Sequence, residues 1–121
     1  MPKRPQKPSS PADWINQLDP IAIDAAAEDA TIDAHDLDEQ YSGFMTVMED
    51  ELVFPFSAKV MGEVLSVVGM EWPENDGFGM DLVIERNGEQ HRIDARSVEL
   101  IEPFPNGHLV LAAYLKWRRF A

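Results

Sequence analysis

Residues 80–94 read MDLVIERNGEQHRID. The Asn87-Gly88 pair is the strongest short hairpin signal a sequence can carry, because a tight two-residue turn needs positive φ at both positions. On either side, Leu82, Ile84 and Ile93 are placed to face a core while Arg86, Glu89 and Arg92 face water. Upstream, KVMGEVLSVVGMEW (59–72) is rich in Val and Met, and Gly62 and Gly69 punctuate it into two further short strands. A turn-rich loop, PENDGFG (73–79), joins the two strand pairs. Short strands at this spacing predict a small SH3-like antiparallel β-barrel of four to five strands over residues 53–102.

Working outward, the segment after Pro103, Phe104 and Pro105 changes period. Leu109, Ala112, Ala113, Lys116 and Trp117 fall at helical spacing, and cations gather in the last turn, where they oppose the helix dipole. A C-terminal helix is expected over 103–121. On the other side, residues 21–44 have helical composition, with apolar positions at Ile21, Ala25, Ile32, Leu37 and Tyr41. Phe44, Met45, Val47, Met48 and Leu52 continue a helical stripe into a second short helix, with Gly43 as the expected hinge or break before it. Residues 13–19, DWINQLD, suit one helical turn capped by Asp13, with Trp14 or Leu18 touching the body and Pro20 ending it. Phe54-Pro55-Phe56 is expected to pin this helical arm onto the barrel. The fold class is therefore α+β, one domain over 13–121: an acidic helical arm (13–52), a small barrel (53–102) and a closing helix (103–121). Residues 1–12, proline-rich and without an apolar anchor after Met1, read as a disordered tail.

The net charge of -12 is unevenly distributed. Residues 1–12 hold three bases and no acid, residues 13–51 hold twelve acids and no Lys or Arg, and residues 52–121 hold ten acids against seven bases. Such a field repels nucleic acid and anionic membrane and attracts cations or a basic protein surface. There is no cysteine, so disulfides, thiolate metal sites and cysteine nucleophiles are excluded. With no apolar h-region behind the basic N-terminus and no long apolar run, neither a signal peptide nor a membrane span is expected, and a cytoplasmic location fits. His35, His91 and His108 lie far apart in sequence and match no zinc spacing. No serine has a nucleophile-elbow context, and Gly77-Phe78-Gly79 lacks the rest of a dinucleotide loop. The expectation is a protein that is not an enzyme.

The acidic run offers carboxylates at close spacing. On one continuous helix, Asp29 and Asp33 would be i, i+4 neighbours, and Asp33, Asp36 and Glu39 successive i, i+3 neighbours, so one face would collect like charge. A divalent cation relieves such repulsion, and calcium takes six to eight oxygen ligands. The plainer reading is a solvated face that keeps the protein soluble. Residues 38–49, DEQYSGFMTVME, also match a helix-loop-helix calcium loop at the central Gly43 and the final Glu49, but an amide, Gln40, stands at the third position.

Read whole, DAHDLDEQYSGFMTVMEDELVFPFSA (33–58) resembles the signature of the CcbP-type calcium-binding proteins, first known from cyanobacteria. That pattern runs D-A-Y-D, an acidic stretch ending E-R, G-W, a run of tyrosines, L-E-D, L and F-P-F-x-A, in register without a gap. Downstream, GEVLSVVGM (62–70), the Met80 strand and Trp117 are similar to the family's second half, so the resemblance spans about residues 32–120. His35, Gln40, Phe44, Thr46 and Val47 depart from it, which leaves the carboxylates but alters the aromatic layer and removes a cation. The resemblance implies a calcium buffer or sensor that lacks a helix-loop-helix motif and binds Ca2+ through surface carboxylates, with Asp33, Asp36, Asp38, Glu39, Glu49 and Asp50 as the expected metal ligands. The alternative is an interaction module whose acidic arm docks a basic protein partner.

Overall fold

Both hairpins form around pairs of positive-φ residues. In the computed structural model, which describes residues 10–72 and 77–119, Asn87 (φ 53) and Gly88 (φ 80) join β3 (Asp81–Arg86) to β4 (Glu89–Asp94). Met61 (φ 50) and Gly62 (φ 81) join β1 (Phe56–Val60) to β2 (Glu63–Glu71) in the same way. A two-residue β5 (Glu99–Leu100) adds to the far side of β1, giving one antiparallel sheet in the order β4-β3-β2-β1-β5. The expected barrel is corrected here: β4 and β5 are edges that do not pair with each other, and the sheet stays open. A sheet with one two-residue edge has too few ladder bonds on that side to close on itself.

Register explains which residues are buried. Phe56 pairs with Val67 and Val67 with Ile84, while Leu82 pairs with both Met70 and Ile93, so these side chains share one face. The helices cover that face: Ala58, Val67, Leu82, Ile84 and Leu100 form one cluster with the inward residues of the helices. Leu82 and Ile84 are buried and Ile93 is half-buried, as their alternation predicts, whereas Arg86, Glu89 and Arg92 are exposed.

Three α-helices make the other layer. In α1 (Pro20–Ala30) the inward residues are Ile23, Ala26, Ala27 and Ala30, and not the Ile21, Ala25 and Ile32 stripe read from sequence; Ile21 is 78% and Ile32 73% exposed. The small alanine face lets α1 lie close against α3 (His108–Arg118), which is itself buried continuously from Val110 to Leu115. In α2 (Leu37–Glu51) the expected stripe holds, with Phe44, Met45, Met48 and Leu52 all buried.

Gly43 is not a hinge. It lies inside α2, where a Cβ would stand 2.2 Å from the Ala30 carbonyl oxygen, so glycine is what allows α2 to cross the end of α1. The segment expected as a turn capped by Asp13 is a 3-10 helix, Pro11–Gln17, capped instead by Ser10, whose backbone N–H donates to the Asp13 carboxylate at 2.9 Å. Asp13 is thus the third residue of a capping box, and Trp14 behind it is buried against Phe104. Of the expected tail, residues 10–12 form this cap and first turn, and residues 1–9 lie outside those described. Phe54 and Phe56 stack at 5.6 Å and pack half-buried against the core around a cis Pro55.

Candidate functional site

The two helices of the acidic arm part at residues 31–36 and not at Gly43. Thr31 closes α1: its hydroxyl donates to the Ala27 carbonyl at 2.7 Å, and Asp33 then takes a left-handed conformation (φ 64) that turns the chain. The continuous carboxylate face expected from i, i+3 and i, i+4 spacing is therefore not formed: Asp29 ends up in α1, Asp33 in the turn and Asp36 outside α2. Likewise residues 38–49, which match a calcium loop in pattern, are helical throughout and form no such loop.

Asp36 is the N-cap of α2. Its carboxylate accepts from the Glu39 backbone N–H at 2.8 Å, and the Glu39 carboxylate reaches back to accept from the His35 N–H at 3.3 Å. One orphan donor of the helix, the Glu39 N–H, and the N–H of the residue before the cap are satisfied in this way, and Asp38 and Glu39 also lie in the first turn, where negative charge favours the dipole. Next to this entrance is a shallow cavity of about 400 Å³ lined by Ala30, Ile32, Asp33, Asp38, Glu39 and Gly43 among others. Three of the six expected ligands, Asp33, Asp38 and Glu39, thus share one concavity, with Asp36 adjacent in sequence as the cap. Glu49 and Asp50 are separated from them by most of α2, roughly 16 Å at 1.5 Å per residue.

The entrance of α2 is fixed from below by aromatic residues. Tyr41 donates to the Gly79 carbonyl at 2.6 Å, Tyr114 to the Phe78 carbonyl, and Trp117 Nε1 to Gln40 Oε1 at 2.8 Å. Tyr41, Phe44, Phe78, Tyr114 and Trp117 lie within contact of one another. Burial raises the Tyr41 and Tyr114 phenols above their ordinary pKa, so both remain hydrogen-bond donors through the physiological range. Gln40, noted from sequence only as a departure, is the acceptor that ties α2 to α3. No spacing rule could have found this bond, since its partners are 77 residues apart.

Charge pairing elsewhere leaves the entrance uncompensated. Arg92 pairs with Glu71 at 2.8 Å and with Asp81 at 3.3 Å, Arg86 pairs with Glu63 at 3.3 Å, and Arg118 binds Asp94 with both guanidinium nitrogens. Burial alone would raise Asp94, but its hydrogen bonds from the Arg96 backbone and from Arg118 outweigh this and hold it below its ordinary value. Lys116 reaches Asp24 at 3.6 Å. Among the described residues, none of the six expected ligands forms an ion pair with Lys, Arg or His.

The donor chemistry suits a hard cation, since carboxylate oxygens supply both ligands and charge. The geometry is open: among the described residues, no three His, Asp or Glu side chains converge as a ready-made metal-binding group. The Asp36 and Glu39 carboxylates already accept backbone hydrogen bonds. An ion at this entrance would be held by exposed carboxylates that must reorient, in contrast to a rigid cage. No helix among the described residues is long and apolar enough to cross a membrane.

Three helices on one face of an open five-stranded antiparallel sheet define the class, an α+β fold with an acidic helical edge. No family model and no curated protein matches the chain. Among solved structures, its fold is similar to that of Anabaena CcbP, with a TM-score of 0.66, covering 84% of this chain and 91% of that one at 20% sequence identity. This likeness of fold supports the CcbP-type resemblance read over residues 32–120.

Proposed function

We propose that this protein binds calcium at the entrance of α2 and acts as a buffer or sensor of the free ion, without catalysing a reaction and in a cytoplasmic setting. The observation that carries the reading is the joint placement of Asp33, Asp38 and Glu39 around one cavity, unpaired among the described residues, in a segment of twelve acids with no Lys or Arg. The resemblance of residues 33–58 to the CcbP-type signature and the likeness of fold to Anabaena CcbP support it. Glu49 and Asp50 belong to the same field at the other end of α2 and form a second, weaker place of attraction. Calcium is favoured over magnesium because exposed carboxylates of variable geometry suit its larger and flexible coordination shell, whereas magnesium demands an octahedron and sheds water reluctantly.

Calorimetric titration of the purified, metal-stripped protein tests this directly. Saturable heat with calcium and a smaller response to equal magnesium is expected. Equal, non-saturating responses to both ions reduce the entrance to an ion atmosphere and overturn the reading.

A further inference from the structure

The acidic arm exposes large aliphatic side chains that solubility does not require. On α1, successive residues turn by about 100°, so Ile21, Ala25 and Glu28 share the face opposite Ile23, Ala26, Ala27 and Ala30, with Asp24 on one flank and Asp29 on the other. Ile32, 73% exposed in the turn after α1, stands at the lip of the carboxylate cavity, and Leu37, 48% exposed, follows at the first turn of α2. Ile21, Ile32 and Leu37 are three of the large hydrophobic side chains that stand exposed, and all three lie in the one segment that lacks any cation.

We infer that this outer face of α1, with the adjoining entrance of α2, is a docking surface for a basic amphipathic helix of a partner protein. The chemistry selects that occupant. Exposed aliphatic side chains set among carboxylates complement an apolar stripe flanked by Lys and Arg, whose stems can lie along Ile21 and Ile32 while their charges reach Asp24, Asp29, Asp33 and Asp38. Asp24 already holds Lys116 at 3.6 Å, with 72% of its side chain exposed, so it can accept a second cation. Nucleic acid and anionic membrane are repelled by the same carboxylates. A second copy of the chain would bring the same acidic arm against itself, which like charge opposes. The inference does not depend on metal binding.

The test uses a fluorescently labelled peptide of Leu and Lys, about four helical turns long, patterned with one apolar face. A scrambled peptide of identical composition is the control. Binding is followed by anisotropy in physiological salt with a chelator present throughout, so that failure of the calcium reading leaves this result untouched. The patterned peptide is expected to bind on the order of tenfold more tightly than the scrambled one. Ile21→Ser/Ile32→Ser, at two exposed positions, should abolish that difference while melting within a few degrees of wild type. Equal binding of the two peptides, or an unchanged preference in the isoleucine variant, leaves only diffuse attraction and overturns the inference. Should that variant melt far from wild type, Ile21→Thr/Ile32→Thr is measured in its place against the same two outcomes.

Discussion

At Met61 and Gly43 a single side chain, or its absence, decides the local backbone. Asn87-Gly88 announces its turn because both residues favour positive φ, whereas Met61 occupies the matching position of the other hairpin (φ 50) with no such preference and with its side chain fully exposed. Gly62 could be read as punctuation; the type of turn could not. Met61→Asn should therefore stabilise the protein by about 0.5–1 kcal/mol, since a left-handed L-residue other than Asn or Asp costs roughly 1–2 kcal/mol. Urea unfolding checks it through a higher midpoint at unchanged slope. Gly43 carries the opposite lesson. Gly→Ala in a helix ordinarily gains up to about 1 kcal/mol, but here the added carbon would meet the Ala30 carbonyl at 2.2 Å. Gly43→Ala should destabilise by about 2 kcal/mol or more, because α1 and α2 must move apart. A midpoint equal to or above wild type would contradict the close crossing.

At the level of elements, the strands and the stripe of α2 were legible because alternation and a 3.6-residue period each encode one buried face. The break between α1 and α2 was not. It depends on Thr31 turning its hydroxyl back to Ala27 and on Asp36 serving as a cap, and in a run of alanines and acids nothing marks which aspartate leaves the helix. Dipole direction now gives the two ends of α2 opposite signs. Asp38→Asn/Glu39→Gln removes charge from the favourable N-terminal turn and should lower the metal-free melting temperature. Glu49→Gln/Asp50→Asn relieves negative charge in a last turn that has no base, and should raise it. Each end is worth about 0.3–1 kcal/mol per charge at low salt, and the two shifts should converge as salt is added. The tie from Asp94 to Arg118 is a separate element-level link, holding the C-terminal turn of α3 to the end of β4. Asp94 is lowered on folding, so its contribution is complete above its ordinary value of 3.8 and is lost as pH falls through the lower folded value. Asp94→Asn should cost about 1 kcal/mol near neutral pH, discounted for partial exposure. That difference from wild type should shrink only below about pH 4.

For the molecule as a whole, the α+β class and the order of arm, sheet and closing helix followed from where the hydrophobic period changes, and the openness of the sheet did not. Closure depends on how many ladder bonds the last strand can offer, and a two-residue β5 after a 3-10 turn leaves little trace in sequence. The charge was legible in full as a total and only in part as a site, because the turn at Asp33 gathers Asp33, Asp38 and Glu39 at one cavity and leaves Glu49 and Asp50 at the far end of α2. That division allows a whole-protein test of the calcium proposal. A ligand that binds only the folded state raises its stability by RT ln(1 + [L]/Kd), so the calcium-induced rise in melting temperature reports affinity in each variant. Asp33→Asn/Asp38→Asn/Glu39→Gln should lose most of that rise. Glu49→Gln/Asp50→Asn should keep most of it, even though its metal-free melting temperature moves upward. Non-specific screening depends on total charge and predicts losses in proportion to the carboxylates removed, with magnesium as effective as calcium. Melts of wild type and both variants, with calcium, with magnesium and with chelator, separate the two accounts: a calcium shift that survives neutralisation of Asp33, Asp38 and Glu39 places the ion away from the entrance of α2.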